Sequence, residues 1–281
     1  RSLVLFDAGR AGLLSSVPAL AERILDSGTT LLSLVPSLLD GLLVSGFAPS
    51  KHLRAVLLGG SGCSPALARR AESVRLPLLT SYGLTETSSQ VVTRRYAERF
   101  APLAEQDGCV SSGHALPGVE LELRGGLIAI RAPSLFSGYL GEPSKNLDAD
   151  GWLLTTDLGA LSADGSLVVR GRLDDVIVTA GENVDPLEVE FALLQLPGVR
   201  AACVFGIPSA RFGQVVGAAL VCVDASLTRP DVLARLLGDH LARHKLPRCV
   251  AQFDSLPVTD NGKPDRRACA ARFAHFTEPQ P

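Results

Sequence analysis

The sequence predicts an α/β fold followed by a smaller α+β domain. Strand-length apolar runs alternate with helical patterns in the first half of the chain, which is typical of α/β proteins. Near the middle, Gly125-Gly126 separates two short apolar segments and indicates a hairpin in a small β-rich subdomain. After Gly171-Arg172 the pattern of strands and helices starts again. We therefore predict a large domain at residues 1–172 and a small domain at residues 173–281.

Each predicted element follows from a local pattern. Residues 53–58 are an apolar run of strand length, residues 65–74 have a helical period with proline at the start, and residues 76–80 are a second apolar run. This strand–helix–strand order predicts a largely parallel sheet. The later elements are, in chain order, two strands within 119–131, strands at 167–170 and 175–179, a helix at 186–196, strands at 199–205 and 215–223, and a helix at 230–243.

The composition excludes some classes of partner. With 46% hydrophobic and 20% charged residues, the chain has the composition of a globular protein with a core. Its formal net charge of −2 gives no basic footprint, so we expect neither nucleic acid nor a membrane surface as a partner. The sequence has no apolar run of about eighteen residues and no secretory signal pattern, so the expected compartment is the cytoplasm.

The cysteines and histidines do not indicate a metal site. The six cysteines are scattered without metal-ligand spacing, so we expect reduced, packed thiols. His240 and His244 are four residues apart on one predicted helix but have no third ligand nearby. Methionine is absent, so Arg1 is not an initiator residue and we expect a fragment or a processed product.

A glycine-rich turn follows the first predicted strand. It contains Gly59, Gly60 and Ser61 and leads into the helix at Pro65. Such a turn can bring backbone amides close to a flat or phosphorylated ligand. It matches neither the dinucleotide-binding pattern nor the P-loop, so a tight connection without a ligand stays open as the alternative.

The next predicted strand ends in Ser81-Tyr82-Gly83-Leu84-Thr85-Glu86-Thr87, which combines an aromatic ring, hydroxyls and a carboxylate. In open α/β folds, ligands bind at the carboxyl ends of the strands. Carboxylate oxygen is also a ligand that Mg²⁺ prefers. The alternative is a strand-to-helix turn in which Thr85 is the N-cap.

Asp157, Arg172 and Lys263 are ambiguous one by one. A carboxylate such as that of Asp157 can accept hydrogen bonds from two hydroxyls, but an aspartate before a strand is usually a solvated turn residue. Arg172 at a domain junction is by itself a surface residue. Lys263 follows Asn261-Gly262, where a lysine is normally solvated, although an ammonium can stabilise charge that develops on a phosphate.

Together these segments resemble the adenylate-forming superfamily of acyl-CoA synthetases, peptide-synthetase adenylation domains and luciferases. The resemblance runs from about residue 3 to about residue 267. It implies the carboxyl-terminal portion of the superfamily's large AMP-binding domain, followed by its small mobile lid, without the amino-terminal part of the fold. It also implies ATP and CoA as substrates and Mg²⁺ as cofactor.

The resemblance implies roles for individual residues. Tyr82 would pack on adenine, Thr85 would contact the α-phosphate and Glu86 would help to hold Mg²⁺. Asp157 matches the aspartate that binds both ribose hydroxyls, and Arg172 matches the arginine beside it. The implied ATP- or AMP-binding set is Gly59, Gly60, Ser61, Tyr82, Gly83, Thr85, Asp157, Arg172 and Lys263.

In the lid, the resemblance makes Asp174 the hinge between two half-reactions and brings Gly181 and Glu182 close to CoA. Lys263 would bridge the acid carboxylate and the α-phosphate in the adenylation step, with Thr85 and Glu86 as the other catalytic residues. Thr156 stands where the superfamily usually has glycine. We expect this bulkier residue to lower nucleotide affinity.

Within the superfamily, residues 82–93 are most similar to the o-succinylbenzoate–CoA ligases of menaquinone biosynthesis. This implies an ATP-dependent acid–CoA ligase that forms an acyl-adenylate and then a CoA thioester, with a small carboxylic acid as partner. A homo-oligomer stays open. Ser81, Ser88 and Ser89 would lie near the acid, although serines after a strand can equally cap a helix.

Three other functions stay open. Another aryl- or acyl-CoA synthetase, or a carrier-loading adenylation domain, would use the same residues. A catalytically silent nucleotide-binding protein fits the lack, within this sequence, of the phosphate-binding loop that the superfamily has upstream. Without that loop, we expect the chain alone to bind AMP or the adenylate weakly and to catalyse little.

Overall fold

The structure is a computed structural model that describes residues 17–106, 108–143, 147–259 and 264–273. The chain divides into two compact units. One takes in Arg1–Thr155 and Gly159–Val169, and the other takes in Thr156–Leu158 and Arg170–Pro281. The predicted boundary between residues 172 and 173, with its hinge near Asp174, stays a prediction.

The first unit combines short helices with many strands. Its described helices are α1 (Val17–Asp26), α2 (Pro36–Val44) and α3 (Pro65–Ser73). The strands in this part of the chain are β1 (Leu31–Leu34), β2 (Ala55–Leu58), β3 (Leu78–Leu84), β4 (Ser89–Thr93), β5 (Glu105–Gln106), β6 (Cys109–Ala115), β7 (Glu120–Arg124), β8 (Leu127–Arg131), β9 (Gly138–Tyr139), β10 (Glu142–Pro143), β11 (Leu153–Leu161) and β12 (Leu167–Arg172).

Strands β1, β2 and β3 are parallel neighbours, joined by α2 and α3. The parallel pairing of β2 and β3 ends where Leu58 pairs with Thr80, and β3 continues to Leu84 alongside β4. Helix α3 begins with proline, and Ser64 caps it by accepting the Leu67 N–H at 3.2 Å. The strand–helix–strand order predicted for residues 53–80 is confirmed.

Beyond β3 several pairs of neighbouring strands are antiparallel. The sheet has the order β1-β2-β3-β4-β6-β12-β11-β8-β7, with β5 on β6. The pairs β3–β4, β4–β6, β6–β12 and β7–β8 are antiparallel. The prediction of a largely parallel sheet is therefore wrong for this part, because tight turns rather than helical crossovers connect β3 to β4 and β7 to β8. The hairpin at Gly125-Gly126, where both φ angles are positive, is confirmed.

Two apolar clusters stabilise the first unit. One packs helices α1–α3 against the parallel strands and includes Leu39, Leu42 and Val56, which are almost fully buried. Each such leucine contributes about 1.5–3 kcal/mol relative to an exposed side chain. The other lies among the antiparallel strands and includes Ile128 and Ile130. The second cluster supports the turn after β3 that carries the candidate site.

Trp152, the single tryptophan, packs against two arginines of the first unit. The guanidinium carbons of Arg124 and Arg131 lie 5.2 and 4.8 Å from its ring centre. These are cation–π distances, and the ring is 9% exposed. The three tyrosines of the chain, Tyr82, Tyr96 and Tyr139, also belong to the first unit.

The second unit is an α+β structure, as predicted. Its strands are β13 (Ile177–Thr179), β14 (Glu182–Val184), β15 (Val199–Ser209), β16 (Gly213–Cys222) and β17 (Cys249–Gln252), and its described helices are α4 (Pro186–Leu194), α5 (Pro230–Leu237) and α6 (Arg266–Ala271). The sheet has the order β14-β13-β16-β15, with β17 parallel to β16. Leu193, Leu220 and Leu233 are fully buried in its core.

Helix α5 is shorter than predicted. It ends at Leu237 rather than at residue 243, because Gly238 and the aspartate after it are weak helix formers. His244 lies in a separate 3₁₀ turn. The prediction that His240 and His244 lie four residues apart on one helix is therefore wrong.

All six cysteines are free and buried. Burial raises the pKa of the Cys63 thiol to about 12. Over the residues that the structure describes, no helix has the length and apolar character needed to cross a bilayer. The same residues contain no group of three or more His, Cys, Asp and Glu side chains that could hold a metal ion.

Candidate functional site

The glycine-rich turn contacts the end of the neighbouring strand. The Ser81 hydroxyl donates to the Leu58 carbonyl at 3.0 Å. A Cβ at Gly59 would lie 2.9 Å from that hydroxyl oxygen, so the close approach favours glycine. Gly60 has a φ of +86°, and Ser61 is exposed. Gly59 and Ser81 thus meet at the carboxyl end of β2.

The segment after β3 is a tight turn that returns as β4. Residues Thr85–Thr87 form one 3₁₀ turn, and Ser88 then reverses the chain with a φ of +58°. The buried Thr87 hydroxyl oxygen accepts the Leu84 N–H at 2.8 Å and donates to the Ser89 carbonyl at 2.7 Å. The alternative of a strand-to-helix turn is wrong, because Thr87 closes the turn and the β-branched residues after it favour a strand.

Gly83 lies where β3 and β4 approach each other closely. The pairing of the two strands shifts between Tyr82 and Gly83. A Cβ at Gly83 would overlap the Ser89 carbonyl oxygen and lie 2.5 Å from the Gln90 Cα. Both are backbone atoms that cannot rotate away. The geometry of the turn therefore requires glycine here, and a contact of Gly83 with nucleotide stays a prediction.

Glu86 is held by a second segment of the first unit. Its Oε1 accepts the Tyr139 hydroxyl at 2.8 Å, and its carbonyl oxygen accepts the Phe136 N–H at 2.9 Å. The rings of Phe136 and Tyr139 pack edge to face, 5.2 Å between centres. The Ser88 hydroxyl donates to the Ser134 carbonyl at 2.9 Å. The hydrogen bond to Glu86 raises the pKa of Tyr139, so this phenol stays protonated as the donor.

Sequence reasoning missed Tyr139. It lies 53 residues after Glu86, and its neighbours Gly138 and Leu140 form no pattern with the Glu86 turn. A contact between distant segments leaves no trace in local periodicity. The turn formed by residues 85–88, bonded to Ser134 and Phe136, brings the two side chains together.

The other predicted residues of the first unit differ in exposure. Tyr82 is 8% exposed, and its ring belongs to the apolar cluster of the antiparallel strands. Thr85 is exposed at the turn. Ser89 is also exposed, and its hydroxyl donates to the Gln90 side chain at 2.6 Å. The roles of Tyr82 against adenine and of Ser89 near the acid stay predictions.

Asp157 and Arg172 lie close together in the second unit. Arg172 Nε is 3.6 Å from Asp157 Oδ1, and the aspartate side chain is 8% exposed. Arg172 Nη2 donates to Thr156 Oγ1 at 2.8 Å and lies 3.6 Å from Asp174 Oδ2. The structure therefore groups the two residues assigned to ribose, the residue assigned to the hinge and the threonine that replaces the usual glycine.

Gly181 and Glu182 belong to an exposed hairpin turn between β13 and β14. Ala180 and Gly181 have φ angles of +53° and +84°, and Thr179 pairs with Glu182. Positive φ at both central positions is typical of a type I′ turn, which favours glycine at the second. Approach of this turn to CoA stays a prediction.

An ion cluster inside the second unit was not predicted. The nearly buried Glu190 accepts the Val204 N–H and Arg266 Nη2, both at 2.8 Å. Arg266 Nε donates to the Val204 carbonyl at 3.1 Å, and its Nη1 is 3.8 Å from Asp175 Oδ2. Burial raises the pKa of Glu190 to about 7, a larger effect than the opposing charge of Arg266. Burial likewise raises the pKa of Asp185, which caps α4, to about 6.

Lys263 lies outside the described residues. Before and after it, Val258 and Pro264 form an isolated antiparallel bridge. The Asp265 N–H donates to the Pro257 carbonyl at 2.9 Å, and Asp265 then caps α6. The catalytic role of Lys263 stays a prediction.

Comparison with protein families gives two matches. The AMP-binding enzyme family matches residues 3–140, and the AMP-binding enzyme C-terminal domain matches residues 188–263. The chain belongs to the AMP-binding enzymes. The resemblance to adenylate-forming enzymes is thereby confirmed, and the second match ends at Lys263.

Named relatives of this AMP-binding enzyme are CoA ligases. The 2-succinylbenzoate–CoA ligase of Lactococcus lactis is 32% identical over 250 residues, which are 87% of this chain and 52% of the relative. A Rhodococcus jostii ligase that joins CoA to an octahydroindenyl propanoyl group is 33% identical over 256 residues, with 88% of this chain and 48% of the relative covered. The chain spans about half the length of the curated relatives it matches.

Among solved structures, the chain is similar to o-succinylbenzoate CoA synthetase from Bacillus subtilis in complex with its acyl-adenylate intermediate. The TM-score is 0.76 at 30% sequence identity. The match covers 90% of this chain and 53% of that chain. The fold class predicted from the sequence is confirmed.

Proposed function

We propose that this AMP-binding enzyme supplies the nucleotide-binding and lid portions of an ATP-dependent acid–CoA ligase. The observation that carries the proposal is the grouping of Asp157 with Arg172 in a chain of this family. A carboxylate can accept hydrogen bonds from both ribose hydroxyls, and a guanidinium adds donors beside it. This pair suits a nucleotide better than it suits an isolated acid or thiol.

For the acid we favour 2-succinylbenzoate. The Lactococcus lactis relative is a ligase for this acid, and the Bacillus subtilis structure holds its adenylate. Ser81 in β3 and Ser88 in the turn after it carry short hydroxyls. To bind a second carboxylate, they would turn away from the Leu58 and Ser134 carbonyls, which accept their protons in this structure. The Rhodococcus jostii relative, at similar identity, acts on a different acid, so the test includes several acids.

The proposed reaction has two steps. The carboxylate of the acid attacks the α-phosphorus of ATP, and pyrophosphate leaves. The CoA thiol then attacks the acyl carbon of the adenylate and loses its proton, and AMP leaves with the bonding electron pair. We assign Thr85 a hydrogen bond to the α-phosphate, Asp157 and Arg172 the ribose, and Lys263 the charge that develops in the first step.

The Glu86 carboxylate fits a magnesium ion. It is half-buried, and its Oε2 accepts no hydrogen bond from the part of the chain that the structure describes. Mg²⁺ prefers such hard oxygen ligands and, when bound, would offset the charge of the triphosphate. Tyr139 would orient the carboxylate through Oε1.

The test measures three events separately. Calorimetry follows AMP binding, and two assays follow pyrophosphate release and CoA-thioester formation with 2-succinylbenzoate and a panel of aryl and acyl acids. Both the chain and its fusion to the N-terminal half of the Lactococcus lactis relative are tested. We expect Asp157→Asn to weaken AMP binding, and Lys263→Ala to keep it while adenylation falls.

Each alternative has its own outcome. A fusion that binds nucleotide but activates none of the acids supports the silent nucleotide-binding protein. A fusion that releases pyrophosphate but transfers the acyl group to a carrier protein and not to CoA supports the carrier-loading domain.

We expect Tyr139→Phe to weaken divalent-ion binding about 3–10-fold. The phenol hydroxyl orients Glu86, and such partners of metal ligands typically contribute about 10–100-fold. We expect an effect below this typical range because Tyr139 is 53% exposed. Binding of Mn²⁺ with a non-hydrolysable ATP analogue, followed by electron paramagnetic resonance, measures the effect. Tyr96→Phe, at an exposed tyrosine that packs on Arg99, is the control. Unchanged Mn²⁺ affinity in Tyr139→Phe would contradict the assignment.

A further inference from the structure

Thr156 stands directly before Asp157, where the superfamily usually has glycine. Its size alone predicts a loss of nucleotide affinity. In the second unit, however, the Thr156 hydroxyl oxygen accepts a hydrogen bond from Arg172 Nη2 at 2.8 Å. Glycine has no side-chain atom that could do so. Thr156 is therefore a partner of Arg172 as well as a bulkier residue.

Arg172 has two carboxylates within reach. Its Nε is 3.6 Å from Asp157 Oδ1, and its Nη2 is 3.6 Å from Asp174 Oδ2. Both distances exceed those of ordinary hydrogen bonds. The bond to Thr156 is the shortest of the three contacts, and Thr156 is the chain neighbour of Asp157. The hydroxyl therefore keeps the guanidinium beside Asp157.

The exposure of Arg172 and its two carboxylate neighbours explains why this bond matters. Asp157 is 8% exposed and hence nearly fixed, whereas Arg172 and Asp174 are 55% and 64% exposed. A long exposed arginine has many rotamers and loses considerable freedom when a ligand fixes it. If the Thr156 hydroxyl already fixes Arg172 in the free protein, ligand binding does not have to include this loss of side-chain entropy.

We propose that Thr156 is a positioning residue for ribose recognition, whose hydroxyl orients Arg172 beside Asp157 before the nucleotide arrives. This inference rests on the proposed function, in which Asp157 and Arg172 bind the ribose hydroxyls. The size of Thr156 alone predicts lower nucleotide affinity than glycine would give, and this inference predicts the opposite. Restoring the usual glycine weakens nucleotide binding instead of strengthening it.

Calorimetric titration of the chain with AMP tests the inference on three variants. Thr156→Ser keeps a hydroxyl, Thr156→Val keeps the branched shape without one, and Thr156→Gly restores the usual residue. We expect the serine variant to stay within about twofold of the wild type. We expect the valine and glycine variants to bind AMP about 3–10-fold more weakly, the range for one hydrogen bond at a partly exposed site. With 2′,3′-dideoxy-AMP, which lacks both hydroxyls, all four proteins should bind alike.

Opposite results overturn the inference. If Thr156→Gly binds AMP as tightly as the wild type or more tightly, the threonine is an obstacle only. If Thr156→Val matches Thr156→Ser, the hydroxyl has no role. In an Arg172→Met background, Thr156→Val should have no further effect, and an undiminished effect shows that the hydroxyl does not act through Arg172.

Two measurements separate this inference from the proposed function. A wild-type chain that does not bind AMP, or an Asp157→Asn variant that binds it unchanged, overturns the ribose assignment itself. Nitrogen-15 NMR of the arginine side chains observes Arg172 without nucleotide. Slow guanidinium rotation is expected in the wild type and in Thr156→Ser, and faster rotation in Thr156→Val. Equal rotation in all three overturns the positioning role.

Discussion

Replacing Arg266 with alanine is expected to destabilise the second unit by about 3 kcal/mol at pH 8, the lower end of the cost of breaking a buried ion pair. The Arg266 guanidinium donates to the nearly buried Glu190 carboxylate at 2.8 Å and to the Val204 carbonyl at 3.1 Å. In the variant, Glu190 keeps the Val204 N–H as a donor but loses the positive charge that faces it.

The loss of folding stability in Arg266→Ala depends on pH. Burial raises the pKa of Glu190 from its ordinary value of 4.5 to about 7, so the folded state holds the proton more tightly than the unfolded state. The contribution of this group to stability is complete below about pH 4.5 and is lost as the pH rises through about 7. Arg266 lowers this pKa, so its removal raises the pKa further. The stability deficit of Arg266→Ala relative to the wild type is therefore smallest near pH 4.5 and grows toward pH 8.

Hydrogen exchange of peptides from α4 and β15, corrected for the intrinsic effect of pH, measures the deficit at pH 5 and pH 8. Arg267→Ala, at the exposed neighbouring arginine, is the control and should change little. In a Glu190→Gln background, which removes the charge, the Arg266→Ala substitution should cost only about 1 kcal/mol, for the bond to the Val204 carbonyl. A deficit that does not change with pH would contradict the role of the ion pair.

Replacing Gly83 with alanine is expected to destabilise the first unit by about 3 kcal/mol, at the upper end for overpacking. The new Cβ would overlap the Ser89 carbonyl oxygen, which also accepts the hydrogen bond from the Thr87 hydroxyl. To make room, β4 must move away from β3 and release that bond. The turn that carries Thr85 and Glu86 would move with it, so AMP affinity should fall as well.

Gly62→Ala is the matched control for Gly83→Ala. A Cβ at Gly62 would meet nothing within 4 Å. The stability of the Gly62→Ala variant should therefore stay within about 0.5 kcal/mol of the wild type. Urea denaturation followed by far-ultraviolet circular dichroism gives the free energy of unfolding, and hydrogen exchange of the β4 peptide locates the change. If Gly83→Ala is as stable as Gly62→Ala, β4 accommodates the methyl group and the close approach is not required.

Strands and helices with a strong local pattern could be predicted from the sequence. The apolar run at 53–58 and the proline-started helix at 65–74 both appear, because neighbouring residues carry their signal. The direction of β4 could not be predicted. It depends on the Thr87 side chain bonding to the backbone on both sides of the turn, which is a property of one conformation.

The candidate site divides in the same way. Short sequence segments indicated Glu86, Asp157 and Arg172 as candidates, and the structure brings Asp157 and Arg172 together, while the roles of all three stay predictions. Tyr139 and Arg266 could not be predicted, since their partners lie 53 and 76 residues away. Thr156 shows a third case. Its size is visible in the sequence, but the acceptor that its hydroxyl provides for Arg172 is visible only in the folded chain.

The arrangement of aromatic residues has a practical consequence for spectroscopy. Trp152 and the three tyrosines all belong to the first unit, so ultraviolet emission reports the unfolding of that unit alone. Circular dichroism of the amide bonds reports both units. Two melting curves recorded on one sample therefore show, without any label, whether the units unfold as one cooperative block or in succession. In that readout the Gly83 variant should shift the emission curve, and the Arg266 variant should shift the dichroism curve.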